Sequence, residues 1–347
     1  MQIIKKMKQI KKDEITTEKK HDLYPVEECC LHINNVINDS IIHLYDSIDN
    51  YIFQDIEYSH VIPLIPQWVA DVGITPELNC TKDWYEKLRR QETHPIFGRF
   101  VYHYDICSKV AAIQDRLSAV IMFMQQFYKI VPCKVKYEES QYSGAARCCG
   151  EHETNAHMLL NSIFVAYASV FDIMTKIAIE QFQFDKYDFS KYKKMISSDY
   201  IYKKSLNNID PSLKNNGMLF SEPSIIRKIE IFRNEFVHNG PWDLRCCVYS
   251  TAVDGEPADV IIYSPDMDEI GNFISSGSRN KFYSQANRIN VQLPDMIKEA
   301  TVILKKTIEQ LCTLYKNGTS INTDNNKYTK ECMNAILNHN KELLDLK

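Results

Sequence analysis

The chain has 347 residues, room for about two domains with sizeable cores. Hydrophobic residues make up 44% and charged residues 25%, which excludes a disordered or fibrous chain. A formal net charge of −4 excludes a global basic field, so any nucleic-acid contact must come from local patches.

Eleven cysteines include three adjacent pairs, Cys29-Cys30, Cys148-Cys149 and Cys246-Cys247, and no C-x-x-C spacing. They are expected to be mostly buried thiols in a reducing cytoplasm. The N-terminus lacks an apolar core of signal-peptide length, and no run of about eighteen apolar residues occurs. The expectation is a cytoplasmic protein with no membrane partner.

Residues 1–22 carry seven lysines against four acids and are expected to form a basic, flexible arm. A helical N-terminal domain is expected over 23–131. Ile33, Ile37, Ile41, Leu44, Ile48 and Ile52 set a helix over about 26–57, which Pro63 and Pro66 stop from continuing. A short helix over 81–92 opens at Thr81 with Asp83 in its first turn. The next, over 99–130, places Ile106, Val110, Ile113, Leu117, Val120, Met124 and Phe127 at alternating steps of four and three. That is a heptad seam, suited to the core of a bundle or to a dimer interface.

Residues 132–152, with Pro132, Gly144 and Gly150, form the expected linker. Cys148, Cys149, His152 and His157 cluster near its end and bring zinc to mind. His152 and His157 are one residue too far apart for the H-E-x-x-H helix, and on a helix they diverge by about 140°. No metal and no cofactor is therefore expected.

A second domain is expected over 153–316, followed by a polar loop and terminal helix over 317–347. Its first helix, about 153–184, is apolar and rich in aromatic residues. Between 184 and 206, lysines 186, 191, 193, 194, 203 and 204 interleave with Phe184, Tyr187, Phe189, Tyr192, Tyr200 and Tyr202. Lysines neutralise phosphates while exposed rings stack on unpaired bases, which makes Lys193, Lys194, Lys203 and Lys204 candidate RNA contacts. The competing expectation is a bundle helix whose rings belong to the core. Further on, segments flanking Asp254-Gly255 predict a β-hairpin at about 245–264, and a helix over 282–316, kinked at Pro294, closes the domain. The fold class is thus mainly α: a helical N-terminal domain, then a helical bundle with a small β-hairpin insert.

Polar, chemically capable residues interrupt one clean helical pattern, that of 223–238. Ile225, Ile229, Phe232 and Phe236 mark a buried face, and Asn239-Gly240-Pro241 reads as a cap and a stop. At about 100° per residue, Asn234 and His238 lie roughly opposite that face, with Arg233 on the flank. Arg233 offers a charged fork for phosphate oxygens, and His238 can give or take a proton near neutrality. Asn234, one turn before the His, can hold its ring or bind a phosphate oxygen.

Arg233-Asn234-x-x-x-His238 at the end of a helix, with a long apolar helix before it, resembles the R-x(4–6)-H motif of the HEPN superfamily. The resemblance covers roughly residues 150–316. It implies a small helical domain, ribonuclease activity of the toxin and antiphage kind, and a site shared between two copies across a two-fold axis. It further implies an acidic residue on the first helix contacting the motif Arg. Asp172 is the candidate, with a solvated or capping Asp as the other reading. The expected partners are RNA, a second copy through the motif face, and an antitoxin or regulator. A non-catalytic RNA- or protein-binding module of the same fold is the alternative.

Overall fold

The computed structural model describes residues 25–53, 56, 61–77, 80–133, 145–204, 206–253, 256–317 and 326–345. The expected basic arm at 1–22 and the Asp254-Gly255 turn lie outside the described residues. The protein is mainly helical with one small antiparallel sheet.

Helix α1 (Pro25–Asn35) runs through a π-helical turn, Val36–Ser40, into α2 (Ile41–Ile52). The wider turn shifts the register, so that Val36 enters the core and Ile37 is only partly buried. After the proline-rich break come α3 (Gln67–Asp71) and α4 (Lys82–Gln91). Thr81 caps α4 as its sequence predicts, its hydroxyl accepting the Trp84 N–H at 3.3 Å. Helix α5 (Pro95–Ile130) starts behind His94, whose Nδ1 accepts the Ile96 N–H at 3.3 Å.

All seven seam residues of α5 are buried within the chain, and α5 packs chiefly along α6 (Glu151–Gln183). Tyr102 near the start of α5 meets Glu180 near the end of α6 at 3.1 Å, so the two helices run antiparallel. One core joins Phe97 and Phe100 of α5, Phe164 and Phe171 of α6, Ile229 of α7 (Ser224–His238) and Leu304 of α8 (Ile289–Asn317). It therefore crosses the 132–152 stretch expected as a linker. Helix α8 begins seven residues later than its pattern predicts and keeps Pro294 buried inside it. The terminal helix α9 spans Asn326–Asp345.

The sheet holds one strand more than expected. Strand β1 (Ala146–Cys148), inside the predicted linker, pairs antiparallel with β2 (Val248–Val253), which pairs with β3 (Glu256–Ile261) around a bulge at Thr251/Ala252. This pairing brings Cys149 and Cys247 to a Cα separation of 4.8 Å, where they form a disulfide. The expectation of thiols does not hold for these two, and Cys149 is unavailable to a metal. The other nine cysteines are not part of a disulfide.

The described residues of 184–222 form a series of 3-10 turns and no bundle helix. Their rings nevertheless serve the core: Tyr187 lies 4.6 Å from Tyr102, Phe184 4.7 Å from Tyr51, and Tyr202 5.5 Å from Phe171. Gly98 permits this docking, because a Cβ there would stand 1.9 Å from the Phe189 carbonyl oxygen. Helix α6 is long and apolar enough in composition to cross a membrane, but 67% of its most apolar window is buried inside the protein.

Candidate active site at the end of the 224–238 helix

Helix α7 docks on α6 through Phe232 and Phe236, whose rings lie 5.0 and 6.3 Å from Phe164. Trp242 closes over the same two rings at 5.0 and 4.8 Å. The loop of 263–288 covers a second side. It sets Gly271 against Ser224 and Lys228, Phe273 against Phe232, and Lys281 against Glu235. A strip of α7 is left facing solvent. Asn234, Val237 and His238 are exposed there, and Arg233 is half-buried at its edge.

The Arg233 Nη1 donates to the Asn234 side-chain oxygen at 2.8 Å. His238 stands one turn beyond Asn234 in the last turn of the helix. Among the described residues its ring has no hydrogen-bond or ion-pair partner. Glu235, which sequence reasoning did not single out, is buried beside it. One of its oxygens accepts from Lys281 and the other from the Asn239 amide at 2.8 Å, so it braces the helix end against the loop. The arrangement thus offers a forked cation and an unengaged imidazole on one open surface, able to bind a phosphodiester and move a proton.

Asp172 is elsewhere. Its Oδ1 accepts the Tyr202 N–H at 2.8 Å, a capping role, and among the described residues no hydrogen bond or ion pair joins it to Arg233. Lys203 is also engaged, pairing with Glu230 at 2.5 Å and Glu222 at 3.6 Å. Arg227 binds the same Glu222 at 3.1 Å. Lys193 and Lys204 are exposed, and Lys194 lies 3.9 Å from the equally exposed Asp199. Of the candidate RNA lysines, Lys203 is thus tied to the motif helix through Glu230, and Lys194 lines a cleft with Lys109 and Lys176.

Two of the four residues that bring zinc to mind in the sequence are engaged elsewhere. His157 is fully buried and its Nε2 donates to the Cys247 carbonyl at 2.8 Å, while Cys149 is in the disulfide. A different trio comes together, Asp49 of α2 with His103 and Cys107 of α5. The His103 Nε2 meets both the Asp49 carboxylate at 2.5 Å and the Cys107 sulfur at 3.4 Å. Burial pushes the Cys107 thiol up to about 12, the state of an inert thiol in the absence of a cation. The i, i+4 spacing of His103 and Cys107 could have flagged the pair, but Asp49 is visible only in three dimensions. No protein-family model, no curated protein and no solved structure matches the chain.

Proposed function

We propose that the chain is an endoribonuclease of the HEPN kind, cutting RNA through attack of the 2′-hydroxyl at a site shared by two copies. The observation that carries this reading is the Arg233–Asn234 hydrogen bond on an open strip with an unengaged His238 one turn on. Two such strips across a two-fold axis would supply two imidazoles and two guanidinium groups. One His238 takes the 2′-hydroxyl proton as the oxygen attacks phosphorus. The other gives a proton to the leaving 5′ oxygen, and the Arg233 pair stabilises the phosphorane. The products are a 2′,3′-cyclic phosphate and a 5′-hydroxyl, and the residues themselves move every proton without a metal. Exposed apolar side chains around this helix end, Val237, Leu244, Phe282 and Tyr283, support pairing through the motif face. Such an enzyme acts as a toxin or antiphage effector in the cytoplasm, held in check by an antitoxin or regulator.

A second reading, a non-catalytic module that binds RNA or protein, draws on Asp172, which is bonded to Tyr202 instead of the motif Arg. The test is cleavage of a mixed RNA pool in excess chelator by wild type and His238→Ala. Wild type should cut, leaving cyclic phosphate ends, with the variant slower by about 10²–10⁴-fold and still dimeric. Equal cleavage by both would refute the assignment. RNA binding without cleavage by either would select the second reading.

A further inference from the structure

One turn beyond Asp172 on α6, Lys176 enters a cleft of about 300 Å³ between α5, α6 and the turn at 195–198. Lys109 reaches it from α5 and Lys194 from the turn. Three ammonium groups share this space with one walling carboxylate, Asp105, and no ion pair joins Asp105 to any of them among the described residues. Burial pushes the Asp105 carboxyl up, with Lys109 pulling it back and the buried Glu180 adding to the rise. Asp199 meets Lys194 only at 3.9 Å with both side chains in water, a contact worth little.

The turn that closes the cleft is rigidly held. Glu180, fully buried, accepts the Ser197 N–H at 2.6 Å and the Tyr187 hydroxyl at 2.6 Å, and Lys176 donates to the Ser198 carbonyl at 3.2 Å. Ser197 lines the cleft, is itself fully buried, and its hydroxyl oxygen has no hydrogen-bond partner among the described residues. Leaving such a hydroxyl unpaired costs about 1–3 kcal/mol, which a ligand accepting its hydrogen bond would remove.

We propose that this cleft binds a phosphoryl group, as carried by inorganic diphosphate or the phosphate tail of a free nucleotide. Compact ammonium donors and a hydroxyl suit the oxygens of a tetrahedral anion as point contacts. No aromatic side chain lines the cleft, so nothing there stacks on a base, and recognition rests on the phosphate. The site is separate from the Arg233–His238 strip and does not depend on its activity.

The test is calorimetric titration of the full chain with inorganic pyrophosphate. Saturable binding at one site per chain is expected, weakened about tenfold or more by Lys109→Gln and by Lys194→Gln, and more modestly by Ser197→Ala. Lys194 is exposed, so its variant leaves the fold intact and keeps the result readable. Absence of saturable binding, or unchanged affinity in both lysine variants, overturns the proposal. A second arm adds a short single-stranded oligoribonucleotide: its displacement by pyrophosphate marks an RNA backbone phosphate as the natural source, and binding of both together marks a free anion. Because cleavage is not read, failure here is distinct from failure of the ribonuclease reading.

Discussion

Asn234 holds the guanidinium of the residue before it, the Arg233 Nη1 lying 2.8 Å from the Asn234 side-chain oxygen. A half-buried arginine at the edge of an open strip has many rotamers, and this bond selects one. Removing it by Asn234→Ala should lower RNA cleavage about tenfold through misplacement of the Arg, with stability nearly unchanged because Asn234 is exposed. Arg233→Lys should cost more, since an ammonium cannot reproduce the fork. Single-turnover cleavage rates of the two variants check the order; an Asn234→Ala enzyme as fast as wild type would make the bond incidental.

Lys203 and Glu230 tie the 201–204 turn to α7, with Glu222 and Arg227 extending the network. Burial raises the Glu230 carboxyl and Lys203 opposes that shift, so removal of the lysine strands a carboxylate. Lys203→Ala is expected to lose about 1–2 kcal/mol of stability in urea unfolding, after allowance for partial exposure of the pair. Lys204→Ala, at an exposed position, should stay within about 0.5 kcal/mol. Similar stability in both variants would remove Lys203 from the fold's support.

The helices were legible because their periodicities are long and uninterrupted: the α5 seam, the Thr81 cap and the stripe of α7 all stand where the pattern puts them. Strand β1 was not, since three residues beside Gly150 have no period to read and become a strand only by pairing with β2. The aromatic-lysine segment left two readings open for a similar reason. Spacing shows which residues alternate but not whether a ring meets a base or Tyr102. At the candidate site, the grouping of Arg233, Asn234 and His238 on one surface follows from helical geometry. The engagement of Asp172 by Tyr202, thirty residues away, does not.

Cys149 and Cys247 close a loop whose ends are 98 residues apart. Alkylation of denatured, unreduced protein should therefore label nine of its eleven cysteines, and all eleven after reduction. Peptide mapping should find the protected pair at these two positions. Labelling of Cys149 without reduction would exclude the bond.

Gly98 faces the backbone of the 189–191 turn, and the Phe189 carbonyl oxygen occupies the space of a Cβ. Gly98→Ala must push that turn off α5 and disturb Phe189, which packs against Tyr102 at 5.7 Å. A loss of about 1–3 kcal/mol is expected, even though alanine favours the helix itself. Unchanged urea unfolding would show that the turn yields freely.

His157 makes stability depend on pH. Burial lowers its pKa from the ordinary 6.5, partly offset by the Cys247 carbonyl and by Asp243. With Nε2–H donating to Cys247, Nδ1 is buried and without a partner among the described residues, so a second proton has no acceptor to face. Below pH 6.5 the unfolded chain binds a proton there that the folded chain refuses. Stability is thus complete above that pH and is lost as the pH falls from it toward the folded value. His94, lowered chiefly by burial as well, acts in the same direction. His157→Gln keeps a donor of similar reach without the titration. Chemical unfolding at about pH 7.5 and 5.5 should show a smaller acid-side loss for the variant, with a remainder from His94. An identical loss in both proteins would place the acid sensitivity elsewhere.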